Sequence, residues 1–253
     1  MALIADLHNH SCLSPCGSLE LSPGFLVELA ASRGVDVLGL TDHNSSLNCP
    51  AFAHHCRRLG IIPFFGMEVT TQEEVHVLCL FSQVEPALSF GEYVYSILLP
   101  FPNDPEKTGD QVYVDKDDNI EGEVEYYLCN PIDLSIDDIS GKAAEYGGIT
   151  IPAHVDRPAF SLTSQLGVIV KGDWAALECV RIPPYKNMWS PHDGLLDTLG
   201  YPLVISSDAH FPEHVGRRCF KLDTTKEELL SKGNGEWADM EIFRKLLEKQ
   251  DRS

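Results

Sequence analysis

Six of the ten histidines in this chain, His8, His10, His43, His76, His154 and His210, fall at or near the ends of segments that read as strands, and Glu68 and Asp208 occupy equivalent places. Asp6-Leu7-His8-Asn9-His10 sets two imidazoles two residues apart, and on an extended strand such residues face the same side. Both rings can therefore reach one ion, at about 2.0–2.1 Å if it is zinc. Ser207-Asp208-Ala209-His210 repeats the spacing with a carboxylate in the first place. Glu68 has two carboxylate oxygens and can bridge two ions. Thr41-Asp42-His43 and Pro152-Ala153-His154 each end a strand, and His76 lies within one whose apolar neighbours face the other way. One histidine at a strand end needs no function. Eight such groups together would be costly to bury without ions, so the set reads as metal ligands. Asp42 and Asp156 adjoin ligands and are candidates for orienting imidazoles from behind. His54 and His55, mid-helix beside Arg57 and Arg58, read as solvated surface residues, and His192 and His214 have no partner pattern.

Strand ends share one mouth in α/β folds, and the intervening sequence supplies such a scaffold. Ala2–Leu7 reads as a buried strand. Ser22-Pro23 opens a helix, with serine as cap and proline at the first helical position; Phe25, Leu26, Leu29 and Ala30 keep helical spacing, and Gly34 ends it. A strand at Val35–Leu40, a helix at Pro50–Leu59 closed by Gly60, and strands at Ile61–Val69 and Val75–Phe81 follow. The order suggests a largely parallel sheet or barrel. Residues 83–131 hold Pro100, Pro102 and Pro105, an acidic stretch around 115–125 and one helix at Pro86–Leu98; they read as an insertion or excursion on the scaffold. A helix at Ser135–Tyr146 capped by Ser135, strands at Ile149–Ala153, Trp174–Val180 and Pro202–Ser206, a turn at Gly233–Gly235 and a helix at Ala238–Lys249 complete the pattern. The expected organisation is one barrel domain over 1–253.

Composition narrows the partners. The chain has 253 residues, of which 43% are hydrophobic and 23% charged, which excludes fibrous and wholly disordered classes. Nineteen Lys plus Arg against 38 Asp plus Glu give a formal net charge of −19. Nucleic-acid binding depends on cations that neutralise phosphates, so the expectation from charge is that no long nucleic acid is bound; an anionic membrane is disfavoured for the same reason. No apolar run approaches the roughly 18 residues of a membrane span, and the start lacks the basic and apolar regions of a signal peptide, so a cytoplasmic location is expected. The eight cysteines are then expected to be reduced.

Six motifs in order, DLHNHS at 6–11, LTDHN at 40–44, GMEVT at 66–70, EVHVL at 74–78, IPAHVDR at 151–157 and SSDAH at 206–210, resemble the PHP (polymerase and histidinol phosphatase) family of metal-dependent phosphoesterases. The resemblance runs from residue 5 to about 220 and is weakest across 83–131. It implies an α/β fold, a distorted (β/α)7 barrel of TIM-barrel-like form, whose mouth holds two or three divalent ions (Zn, Mn or Fe). Carried over by position, His8, His10, Asp208 and a bridging Glu68 would hold one ion. Glu68, His76 and His154 would hold a second, and His43 and His210 would contribute to a third. The chain departs from the family after the HxH pair: Ser14-Pro15-Cys16-Gly17 replaces a loop that reads roughly Ser-Asp-Gly and supplies a ligand. Pro15 cannot ligate, which leaves Cys16, Cys12, Glu20 or nothing. A Cys16 thiolate would favour softer ions such as zinc or iron.

The implied chemistry is hydrolysis of a phosphate ester by a metal-activated water, with two ions about 3.5–4 Å apart clamping the phosphoryl group. No side chain is needed as nucleophile. Arg157, three residues after His154, and Arg181, after the Trp174–Val180 strand, are candidates for holding phosphate oxygens. The expected substrate is a small phosphomonoester or a short nucleotide. Two other readings compete. An amidohydrolase-type metal barrel also begins with HxH, but no lysine here ends a strand. A non-catalytic metal-binding regulatory subunit would account for the loop that has lost its ligand.

Overall fold

The computed structural model of the chain describes residues 2–180, 196–231 and 235–250. Arg181 and His192 lie outside the described residues, as does most of the expected turn at Gly233–Gly235. The strands are β1 (Leu3–Asp6), β2 (Val37–Leu40), β3 (Ile62–Thr70), β4 (His76–Phe81), β5 (Val112–Val114), β6 (Ile120–Glu123), β7 (Ile149–Pro152), β8 (Leu177–Glu178), β9 (Leu203–Val204) and β10 (Phe220–Leu222). The helices are α1 (Pro23–Ser32), α2 (Cys49–Leu59), α3 (Val84–Ser96), α4 (Pro105–Thr108), α5 (Ile136–Glu145), α6 (Leu162–Leu166), α7 (Lys226–Leu229) and α8 (Met240–Leu247). A curled sheet runs β10-β1-β2-β3-β4-β7, and β8 pairs with β9. Isolated bridges Thr150↔Trp174 and Asn9↔Ala209 join that pair to the sheet on both flanks. The result is the expected distorted barrel of seven strands, with β10 added antiparallel outside β1.

The ring is less parallel than its sequence suggests. β4 runs antiparallel to both β3 and β7, because five residues, too few for a crossover, join it to β3. His76 thus begins its strand, yet it lies opposite Thr70 at the end of β3. Reversal brings the start of β4 to the mouth that the ends of its neighbours form. Alternation then decides what faces inward. Ile62 and Phe64 share Glu68's parity and pack in an inner cluster, while Phe65, Met67 and Val69 pack outward against the helices. Phe243 of α8 meets Phe64 at a centroid distance of 4.1 Å, and with Leu246 and Leu247 it joins the inner cluster.

Local signals set the helix ends. The Ser22 hydroxyl accepts from the Phe25 amide at 3.3 Å, and Gly60 closes α2 at φ 70°, a conformation costly for any residue with a Cβ. Ser135 precedes α5, but its hydroxyl donates to Asp138 instead of capping the backbone. His55 corrects the surface reading. It is buried against Gly24 and lies 3.5 Å from Asp118, while His54 is exposed. The tight α1–α2 packing, which apolar spacing alone does not reveal, covers it.

Residues 83–131 contain α3, α4 and an unexpected β5–β6 hairpin. They are anchored at the mouth: the Val114 amide donates to the Asn48 side chain at 2.9 Å, and the Asn44 side chain donates to the carbonyls of Leu128 and Asn130 at 2.7 and 2.8 Å. Among the described residues no helix is long and apolar enough to cross a membrane. All eight cysteines are free. Gly66 tests the closeness of β3 to β4, because a Cβ there would collide with the Cys79 carbonyl. Gly66→Ala is expected to cost at least about 2 kcal/mol. Urea unfolding checks this, and an unchanged midpoint would show that the strands have room.

Candidate metal centre

Glu68, buried near the end of β3, is the hub of the mouth. Its Oε1 lies 2.8 Å from His76 Nδ1, 2.9 Å from His154 Nε2 and 3.4 Å from His8 Nε2. Its Oε2 lies 3.3 Å from His43 Nδ1 and 3.4 Å from His10 Nε2. Asp208 Oδ1 stands 3.5 Å from Nε2 of both His8 and His10, and 3.3 Å from His210 Nδ1. Ligand-capable atoms gather within 4.8 Å of one another in four groups: His8, His10, Glu68 and Asp208; His43, Glu68 and His76; His10, His43 and His210; and Cys16, His43 and Cys129. All eight sequence-selected histidine, glutamate and aspartate residues therefore converge. Glu20 is exposed and joins none of these groups among the described residues. Cys12 is buried, with its thiol toward the Val112 carbonyl.

Hydrogen-bond partners fix which nitrogens carry lone pairs. His8 Nδ1 lies 2.9 Å from a Glu178 carboxylate oxygen, which can only accept, so Nδ1 donates and the lone pair of the neutral ring lies on Nε2. His10 Nδ1 lies 2.9 Å from Ser14 Oγ, whose hydrogen goes to Asp42 at 2.7 Å; Nδ1 again donates, and the lone pair of the neutral ring lies on Nε2. These two Nε2 atoms face each other at 3.1 Å. The Asp208 Oδ1 beside them is buried without a hydrogen-bond partner. Without an ion the neighbouring carboxylates favour protons on these rings; a divalent cation between them would take both lone pairs and the unpartnered carboxylate oxygen in the protons' place. The residues fit metal. Asn44, His154 and Asp208 take positive φ values of 46°, 32° and 48°; asparagine and aspartate tolerate this region, whereas a histidine there is held by its surroundings.

Glu178 escaped the sequence reading. It accepts from His8 and, at 2.9 Å, from the His154 amide, so it orients two of the convergent residues at once. Its signal was a lone carboxylate inside an otherwise apolar strand. Asp42 reaches His10 only through Ser14, and Asp156 accepts from the Val180 amide at 2.6 Å. Arg157 donates to Asp208 at 3.1 Å. Arg217 and Arg218, which sequence reasoning also passed over, line the same cavity of about 770 Å³ with Arg157, Phe160, Phe211 and Tyr127.

Burial opposes every charged form here. It holds His76 down to about 4 and, together with the nearby His10 charge, His210 down to about 2. Elsewhere the neighbouring charges outweigh burial: Glu68 lifts His43 to about 9, Glu178 and Glu68 hold His8 well above the usual imidazole range, and the histidines hold Glu68 and Asp208 far below the carboxylate range. Asp6, buried behind the pair, is pushed up to about 6 although the Ser207 and Gly216 amides donate to it.

The chain belongs to the PHP domain family, whose profile matches residues 6–146. This is the family that the six sequence motifs resemble. Three solved structures share the fold. The lesion-specific endonuclease Q of Pyrococcus furiosus is 19% identical with TM-score 0.65, over 98% of this chain and 56% of that one. Endonuclease Q in complex with a 27-mer duplex carrying an abasic lesion at the active site is 20% identical with TM-score 0.54, over 84% and 50%. A Bifidobacterium adolescentis protein assigned as a metal-dependent phosphoesterase is 19% identical with TM-score 0.57, over 93% and 97%. The chain thus spans about half the length of endonuclease Q. No curated protein matches it in sequence.

The endonuclease Q complex corrects the expectation that no long nucleic acid is a partner. Net charge sums over surface remote from the mouth, whereas phosphate recognition needs cations only where the backbone passes. Three arginines stand at this mouth.

Linkage gives the pH dependence of the ion-free protein. His76, depressed to about 4, makes the fold lose stability as pH falls from 6.5 toward 4, and His210 adds the same sign. Asp6, raised, opposes them up to about pH 6. His43, raised to about 9, gives stability that is complete below pH 6.5 and lost as pH rises through 9. Chelated protein is therefore expected to be most stable near pH 6.5 and to lose on the order of 3 kcal/mol toward pH 9. Thermal unfolding across pH checks this; stability that still climbs at pH 9 would contradict it.

Proposed function

We propose that the chain hydrolyses a phosphate ester of a nucleotide, free or at an accessible site in a strand, using two or three divalent ions. His8, His10, Glu68 and Asp208 would hold one ion, Glu68 with His76 and His154 a second, and His43 and His210 would contribute to a third; Zn, Mn or Fe would suit these donors. When bound, the ions supply Lewis-acid charge neutralisation and a water acidic enough to attack at neutral pH. The observation that carries the substrate class is the rim above the cluster: Arg157, Arg217 and Arg218 surround the cavity with Phe160 and Phe211, which are 39% and 43% exposed. Guanidinium groups suit phosphate oxygens, and exposed aromatic rings give bases a face on which to stack. Arg217 is itself fixed at 2.9 Å by the Ser207 carbonyl, next to Asp208. That the same fold serves endonuclease Q on an abasic duplex supports including strands among the substrates. Glu178 keeps His8 Nε2 available, and the Ser14–Asp42 pair does the same for His10.

Purified protein should be assayed with Mn²⁺, Fe²⁺ or Zn²⁺ against p-nitrophenyl phosphate, AMP, single strands ending in phosphate and a duplex bearing an abasic site. Nucleotidyl substrates are expected to exceed p-nitrophenyl phosphate in kcat/KM by at least about tenfold, a margin worth about 1.4 kcal/mol. Equal or better turnover of p-nitrophenyl phosphate would return the reading to a small phosphomonoester. Turnover confined to a cyclic amide or lactone would sink it. Glu68→Gln is expected to abolish turnover and remove at least one ion per chain. Glu178→Gln should weaken metal affinity about 10- to 100-fold while leaving the fold intact. Unchanged affinity in competition titrations would remove Glu178 from the metal site.

A further inference from the structure

The Cys16, His43 and Cys129 group differs in its chemistry from the imidazole–carboxylate cluster, because it carries two thiols. Cys16 is exposed on the loop after β1, Cys129 is half-buried at the end of the 83–131 excursion, and His43 is buried at the end of β2. One donor atom from each lies within 4.8 Å of the other two. Around a single zinc ion, at about 2.0–2.3 Å from each donor, three such atoms lie less than about 4 Å apart, so small side-chain rotations close the set.

Three separate contacts hold the loops that carry it. Ser14, two residues before Cys16, accepts from the His43 amide at 3.2 Å. Asn44, next to His43, donates to the carbonyls on either side of Cys129. Gly109 of the excursion sits so close to the Pro15 carbonyl that no Cβ would fit between them. The backbone segments that carry the two thiols are therefore held next to each other.

We infer that Cys16, Cys129 and His43 form a thiolate-rich site for a soft divalent cation, zinc above all, with a fourth position open to the mouth. The inference rests on the proposed metal centre only through His43. Two thiolates and one imidazole are a donor set found in catalytic zinc sites, which leave the fourth position to water or substrate. Such donors discriminate against manganese and magnesium, which prefer oxygen. The departure from the family loop at Pro15-Cys16 is then an exchange of donor type, completed by a cysteine from a segment that the family motifs do not cover.

Cobalt substitution reads the site without relying on activity. Ion-free, reduced full-length protein titrated with Co²⁺ is expected to show sulfur-to-cobalt charge-transfer absorption in the near ultraviolet. Cys16→Ser and Cys129→Ser should each lower its intensity by about half, and the double variant should lack it and bind about one ion fewer per chain. On the wild type, Zn²⁺ should protect two of the eight thiols from a disulfide reagent, a readout that needs no variant to fold. Absence of the band in reduced wild type, a band indifferent to Cys129→Ser, or thiols that Zn²⁺ leaves unprotected would overturn the inference. Hydrolysis measured on the same samples separates the two readings. Turnover without the band defeats this site alone, and the band without turnover defeats the phosphoesterase reading alone.

Discussion

Two imidazole nitrogens facing each other at 3.1 Å, with the buried Glu68 and the half-buried Asp208 carboxylates beside them, set the constraint that organises this molecule. Neither ring can turn away. Glu178 holds the far nitrogen of His8, and Ser14, itself held by Asp42, holds that of His10. The arrangement suits positive charge between the rings, whether protons or a cation. Much of the surrounding structure is understandable as the means of enforcing it: a hub carboxylate whose oxygens meet five imidazoles, and left-handed backbone at Asn44, His154 and Asp208.

The barrel makes that enforcement possible by separating packing from chemistry. On β3, residues of one parity run from Ile62 and Phe64 in the inner core to Glu68 at the mouth, while the other parity faces the helices. The Phe64–Phe243 contact places the C-terminal helix against that core, well below Glu68 along the same face of the strand. Reversal of β4 costs the mouth nothing, because a strand that starts at the rim offers its first residue where a parallel strand offers its last.

Charge is organised on the same principle. The chain carries a formal charge of −19, yet three arginines stand around the cavity over the acidic hub. Carboxylates beneath and guanidinium groups above form a gradient suited to cations below and phosphate oxygens over them. A whole-chain total averages this away, and the exclusion of long nucleic acid failed for that reason.

The sequence by itself determined the residue types, their two-residue spacings and most strands and helices, because alternation, helical periodicity, caps and positive-φ glycines are local properties. The eight convergent side chains were legible for that reason: each sits at the end of a recognisable apolar segment. The family resemblance supplied the barrel that brings those ends together. Only the tertiary structure decided which side chains meet across distances of 100 residues or more. Glu178 behind His8, Cys129 beside Cys16, and Arg217 and Arg218 at the rim are ordinary residues in their local context. Their roles come from the closure of the ring and from hydrogen bonds made by distant loops, and His55 was misread because its cover comes from a neighbouring helix. Local spacing fixes the direction of a side chain along its own element, but only packing fixes what lies in that direction.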